Sequence, residues 1–239
     1  MACPEEQYGT APFPTHTPSL SARIKVRAFA AFSRYYRARR QLHRMGIRLP
    51  QHDREFGWFC NLIARQSPKR YLEIGSRDGA SLWMVSAFLP PGATIVTVDF
   101  PGKDAGSVRS AENLNYIHGL LQERGFKTLA VFGDSRDCES KTRASEFTNH
   151  QPLDVLFIDG DHTYEGVRAD WELYSPMVKK GGIVGFHDLI LSPRFPNVQV
   201  GRLFNELATQ YKTERRQCQY GVGIVHIPEN HKQTETQSH

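Results

Sequence analysis

The chain has 239 residues, 39% of them apolar, which suits one α/β domain with polar appendages; no apolar run approaches the roughly 18 residues of a membrane span. The formal charge of +5 is uneven: residues 1–50 hold nine Lys and Arg against two Glu, and the remainder holds 21 basic against 23 acidic residues, so the main body is not the basic surface that nucleic acid requires. Four scattered cysteines without a CxxC pair argue against a zinc ribbon or a disulfide framework, and with no basic-then-apolar leader they point to the cytoplasm.

Residues 1–18 are rich in Pro and Thr and read as a loose arm. Residues 19–46 read as a basic helix, with Ile24, Phe29, Phe32 and Tyr36 mixed with Arg23, Arg27, Arg34, Arg37, Arg39 and Arg40. It suits packing on the domain or on a second copy of the chain, and anionic lipid or a phosphorylated glycan is the sharper alternative. From residue 53 strands and helices alternate. A helix over 53–66, capped by Asp53, precedes the strand YLEIG (71–75). A helix over 79–89 leads to TIVTVDF (94–100), and a helix over 109–124 leads to KTLAVFGD (127–134). A helix over 139–149 precedes LDVLFIDG (153–160), and a helix over 164–178, stopped by KKGG, precedes GIVGFHD (182–188). A last helix over 198–212 and strand material over 219–228 follow, then a polar tail over 229–239. The strands are near-continuous apolar runs, as in a mostly parallel sheet covered on both faces. The expected organisation is a basic arm and helix (1–50), an α/β domain (51–228) and the tail.

Ligands of open α/β sheets bind beyond the carboxyl ends of the strands. Those ends carry Glu73, Gly75, Ser76 and Gly79; then Asp99; then Asp134 and Ser135; then Asp159, Asp161 and His162; then His187 and Asp188. Every strand ends in acid, which points to a ligand rich in hydroxyls, amines or positive charge. The first turn, G-S-R-D-G, is neither a dinucleotide fingerprint nor a phosphate-binding P-loop. Asp99 lies 24 residues after Gly75, where an acid receives ribose hydroxyls. Other roles stay open: an ion pair of Glu73 with Arg77 or Lys69, plain turn glycines at 75 and 79, and helix caps at Asp134 and Asp161.

The segments LEIGSRDGAS, VDF, GDS and FIDGDHTYEGV, followed by KGGIVGFHD, resemble class I S-adenosylmethionine-dependent methyltransferases, and more narrowly the macrocin O-methyltransferase-like and cephalosporin hydroxylase-like proteins. The resemblance covers roughly 53–228. It implies a Rossmann-like seven-stranded sheet whose last strand is antiparallel. It implies that Glu73, Gly75, Ser76 and Gly79 serve the methionine end of S-adenosylmethionine, Asp99 the ribose, and Asp134 and Ser135 the adenine. Asp159 would lie near the amine and the transferred methyl.

The same resemblance implies a divalent cation such as Mg²⁺ held by Asp159, His187 and Asp188, since neighbouring strands lie about 4.8 Å apart. His187 departs from the usual acid there and shifts the preference towards Mn²⁺, Fe²⁺ or Zn²⁺. His162, oriented by Asp161, is the candidate to take the acceptor's proton, against a purely structural role in the loop. The expected partner is a small hydroxylated acceptor, a sugar or secondary metabolite, with the segment 191–204 shaping its pocket. A homo-oligomer would form through the N-terminal helix. A nucleotide- or NAD-binding enzyme and a non-catalytic cofactor-binding scaffold are the competing readings.

Overall fold

The computed structural model describes residues 20–102 and 105–229; the arm over 1–18 and the tail from 230 onward lie outside the described residues. The elements in chain order are α1 (Leu20–Arg44), α2 (Asp53–Gln66), β1 (Arg70–Ile74), α3 (Ala80–Ser86), β2 (Thr94–Asp99), α4 (Ala105–Glu123) and β3 (Lys127–Phe132). They continue with α5 (Cys138–Phe147), β4 (Leu153–Ile158), α6 (Tyr164–Tyr174), β5 (Val178–His187), α7 (Val200–Leu207), β6 (Lys212–Arg216) and β7 (Val222–His226). One sheet runs in the order β3-β2-β1-β4-β5-β7-β6. The first five strands are parallel, and β7 is antiparallel to both β5 and β6.

Strand alternation sorts the core into two layers. Tyr71, Ile95, Val155 and Phe157 face α1 to α4, while Leu72, Val96, Leu156 and Ile158 face α5 to α7. Ala31, Tyr35, Ala38 and Leu42 form a buried stripe on α1 at helical spacing, in the same core as Phe56 and Phe59 of α2. Residues 31–49 are therefore packed into the domain's own core rather than hanging beside it. Deep in the sheet, Asp154 accepts the backbone N–H groups of Lys69 and Arg70 at 2.9 and 2.8 Å and pairs with Lys179 at 2.5 Å, locking β4 to the start of β1. No helix among the described residues is long and apolar enough to cross a membrane.

Four local expectations are corrected. The N-cap of α2 is His52; Asp53 is the first helical residue, where it accepts the Tyr35 hydroxyl at 3.0 Å and pairs with Arg39 at 3.2 Å. The KKGG segment does not stop a helix: α6 ends ahead of Pro176 and Lys179–Gly182 already lie in β5. The last helix stops at Leu207, and Lys212–Arg216 form the edge strand β6 instead. KTERR has no apolar face, so its strand character comes from pairing with β7 and its charges suit an exposed edge. The helix before β3 starts four residues sooner than its polar face suggests.

Candidate active site

The strand order reverses between β1 and β4, and a cleft of about 530 Å³ opens beyond their carboxyl ends. Six carboxylates line it: Asp78, Asp99, Asp134, Asp159, Asp161 and Asp188. Two non-glycine residues on its rim, Arg77 and Asp188, have left-handed backbone, with φ of 48° and 60°. Such conformations are costly and concentrate where geometry serves a ligand.

Asp159 is the centre of the cleft. Its Oδ1 lies 3.3 Å from His162 Nε2 and 3.2 Å from His187 Nδ1. Asp188 Oδ2 stands 3.3 and 3.2 Å from the same two nitrogens. Gln51 donates to Asp159 Oδ2 at 2.7 Å. Burial alone would push the Asp159 carboxyl up; the charge of His187 and the hydrogen bond from His162 hold it below the ordinary range instead. Burial opposes the His187 cation too, yet the two carboxylates carry it up to about 10. The hydrogen bond to Asp159 likewise raises His162. It is Asp159 and Asp188, not Asp161, that hold His162 in place.

The donor set fits a cation. Asp159, His162 and Asp188 offer ligand atoms within 4.8 Å of one another. His187 Nδ1 is near both carboxylates yet is not aligned for a hydrogen bond, and both its ring nitrogens are buried without a partner among the described residues. Gln51 Oε1 and Ser76 Oγ, which belong to cleft residues, are also buried and, among the described residues, unpartnered. Buried polar atoms without partners are rare unless a ligand, ion or water completes them. His162, expected from sequence as a base, thus stands at the same two carboxylates as His187.

The first turn divides its labour. Ser76 lines the cleft, whereas Glu73 and Gly79 lie behind it. Glu73 makes no ion pair with Arg77 or Lys69; it is fully buried and accepts the Tyr71 and Ser81 hydroxyls at 2.6 and 2.5 Å. Gly79 packs on Ile117 and Leu114 of α4. Gly75 has φ +82°, and a Cβ there would fall 2.1 Å from the Asp159 carbonyl oxygen. That glycine lets β1 and β4 converge so that Asp159 reaches the cleft.

Burial raises Glu73 from 4.5 to about 7. A folded-state value above the unfolded one gives stability that is complete below about pH 4.5 and lost as pH rises through about 7. The loss should be on the order of 3 kcal/mol. Denaturant unfolding across this range should show wild type losing that much more than Glu73→Gln; parallel curves would remove Glu73 as the source.

Asp99 closes β2 at the cleft, its carboxyl raised by burial and partly brought back by the backbone N–H groups of Arg77 and Phe100. Asp134 does not cap α5, whose N-cap is Asp137. Its carboxylate is forked by Arg136 at 2.6 and 2.9 Å, which lowers its pKa. Ser135 donates to buried Asp170 at 2.6 Å, so its hydroxyl is already engaged below the cleft floor. Asp161 lines the wall and accepts the Thr163 N–H at 2.9 Å; Thr163, not Asp161, caps α6.

A second cavity, of about 870 Å³, adjoins the cleft and shares Arg48, Pro50 and Gln51 with it. The last turns of α1, the loop 46–53 and Gln219–Tyr220 line it. Residues 191–204 line neither cavity, contrary to expectation. Gln51 was missed from sequence; its only signal is the LPQH loop before α2, whose role depends on contact with Asp159, 108 residues away.

Residues 72–189 match the family described as Methyltransferase domain. Among solved structures, an O-methyltransferase from Bacillus cereus in complex with SAH is 15% identical, with 82% of this chain and 90% of that one covered and a TM-score of 0.58. The O-methyltransferase TomG from Streptomyces achromogenes, involved in tomaymycin synthesis and in complex with SAM, is 16% identical, with 82% and 89% covered and a TM-score of 0.52. An uncharacterized protein, R132, of Acanthamoeba polyphaga mimivirus is 53% identical over 36 residues, 15% of this chain and 16% of the curated relative's length. Residues 72–189 therefore match a methyltransferase domain, on the class I, Rossmann-like fold that these solved structures share.

Proposed function

We propose that the protein is an S-adenosylmethionine-dependent methyltransferase that acts on a hydroxyl of a small molecule. One observation carries the reading: acids from the ends of β1's turn, β2 and β4 converge on one cleft beside buried polar atoms that lack partners. A sulfonium, an ammonium and ribose hydroxyls need such a surface. The domain family and the neighbours crystallised with SAH and SAM support it.

S-Adenosylmethionine supplies a methyl on positive sulfur: the acceptor oxygen bonds to the methyl carbon, the carbon–sulfur bond breaks to leave a neutral thioether, and the hydroxyl proton departs. Asp99 binds the ribose hydroxyls, and Ser76 faces the methionine end with Gly75 shaping the turn. Glu73 and Gly79 position that turn from behind. Asp134 and Ser135 wall the adenine end, held by Arg136 and Asp170. Asp159, Asp188 and His187 would hold a divalent cation, which would supply Lewis acidity favouring loss of the hydroxyl proton. His162, the more open of the two histidines, receives that proton, with its ring fixed by the two carboxylates. Orientation of oxygen against methyl carbon contributes several kcal/mol, about 7 or more in well-aligned systems.

Among the described residues Cys60, Cys138 and Cys218 are free thiols, which suits a reducing cytoplasm. Exposed Phe32 and Tyr36, 4.4 Å apart on α1, suit a contact between two copies of the chain.

Calorimetric titration of chelator-treated protein with S-adenosylmethionine tests the reading. Micromolar binding is expected, as is tighter acceptor-dependent turnover when Mg²⁺ or Mn²⁺ is restored. Asp99→Asn should weaken cofactor binding about tenfold or more while leaving kcat at saturating cofactor within a few-fold, since ribose contacts are uniform binding. No cofactor binding in any condition would end the reading.

A further inference from the structure

The two adjoining cavities have opposite electrostatic character. Among the described residues the cleft sets six carboxylates against Arg48, Arg77 and Arg136, while the second cavity presents Arg39, Arg40, Arg48, His43 and His52 against a single carboxylate, Asp53. Asp53 is already engaged by Arg39 at 3.2 Å and by the Tyr35 hydroxyl at 3.0 Å. Arg40, His43 and Arg48 are exposed and pair with no carboxylate among the described residues. Three features make this more than a solvated basic helix. The residues line a concave space of about 870 Å³, within the size range of small-molecule sites. Tyr36 and Tyr220 face the same space and offer ring surfaces. Arg48, Pro50 and Gln51 form a wall common to both cavities, and Gln51 holds Asp159 at 2.7 Å, so the space opens onto the reacting centre.

We propose that the methyl acceptor is a hydroxylated molecule bearing an anionic group, a phosphoryl or a carboxylate, which is seated among Arg39, Arg40 and Arg48 while the hydroxyl extends past Gln51 to Asp159 and Asp188. The proposal rests on the methyl-transfer reading above. Arginine forks match both anions in two-point geometry. The acid-lined cleft repels the anionic end, so the acceptor enters in one orientation only: anion in the second cavity, hydroxyl at the metal cluster.

The full chain, saturated with S-adenosylhomocysteine to fill the cleft, is titrated in a calorimeter with inorganic pyrophosphate and separately with citrate. Wild type should bind at least one probe, and the affinity should fall several-fold, about tenfold at most, on moving from low to moderate salt. Arg40→Glu should weaken that binding about tenfold or more while its S-adenosylmethionine affinity stays within about twofold of wild type. Arg40→Ala, which adds no charge, should move the same way by less. Tighter pyrophosphate assigns a phosphoryl acceptor and tighter citrate a carboxylate. Failure of wild type to bind either probe, or equal binding by wild type and Arg40→Glu, overturns the anion site.

With methyl-labelled S-adenosylmethionine and a small-metabolite extract, the labelled product should be retained on an anion-exchange resin; an unretained product also overturns the proposal. The two readings fail separately. Arg40-dependent pyrophosphate binding by a protein that takes no S-adenosylmethionine would end the methyltransferase reading and leave the anion site standing. Cofactor binding without an Arg40 effect would do the reverse.

Discussion

Asp159→Asn is expected to lower methyl transfer by a factor on the order of 100 to 1,000, as for loss of one preorganised electrostatic group. The substitution keeps the shape of the side chain, and one oxygen can still accept from Gln51. It removes the charge that His162 and His187 both face at 3.2–3.3 Å. Cation affinity should fall with it, because the cluster then keeps one carboxylate, Asp188. Stability should respond in a pH-dependent way in chelator-treated protein. His187 is raised to about 10 in the folded chain, so its pairing contributes fully below its ordinary value of 6.5 and is lost as pH rises through about 10. The variant should therefore be more destabilised near about pH 6 than near about pH 9. Methyl incorporation, metal titration and denaturant unfolding at both pH values check the three parts. A non-catalytic scaffold would instead keep its function through this substitution.

Gly75→Ala is expected to destabilise the domain by about 3–5 kcal/mol, the range reserved for strained or overpacked core sites. Two costs add. The residue has φ +82°, which a residue with a Cβ adopts at a cost of about 1–3 kcal/mol. Its Cβ would then fall 2.1 Å from the Asp159 carbonyl oxygen and 2.6 Å from Gly160 Cα. Both atoms are backbone in adjacent parallel strand ends, so relief requires β1 and β4 to separate. Gly92→Ala provides the comparison. Its φ of +76° is similar, but nothing lies within 4 Å of the added methyl. That variant should lose only about 1 kcal/mol. For a chain of this size each kcal/mol moves Tm by about 2–4 °C, so the two glycines are readily separated by thermal unfolding. Equal Tm shifts would remove the clash as the reason for glycine at 75. In Gly75→Ala molecules that remain folded, displacement of Asp159 should also weaken cofactor and cation binding.

Both predictions concern residues found by the same sequence logic, yet the logic reached them unequally. Buried strands are legible because their apolar runs are unbroken, and β1 to β5 follow from that pattern to within a few residues. The acids at their ends are legible because nothing in a buried strand tolerates them, so their place at the carboxyl edge follows from chain order. Edge strand β6 is not legible: KTERR buries nothing, and only the partner β7 makes it a strand. Caps fail similarly. Asp53 and Asp161 are plausible caps by residue type, but each is engaged elsewhere, with Tyr35 and Arg39 in one case and the Thr163 N–H in the other.

By itself the sequence determined the α/β class, the parallel order of strand and helix, and the carboxyl-edge location of Asp99, Asp134, Asp159 and Asp188. Those features depend on local pattern and on a general rule for parallel sheets. Only the tertiary structure decided which of them meet. It set Glu73 and Gly79 behind the cleft and moved His162 into contact with both Asp159 and Asp188. It carried Gln51 and the α1 arginines to the mouth of the site and left 191–204 outside it. The reason is that contacts such as Gln51 with Asp159 and His162 with Asp188 join residues far apart in the chain, and their distance is set by how helices and strands pack rather than by any local preference.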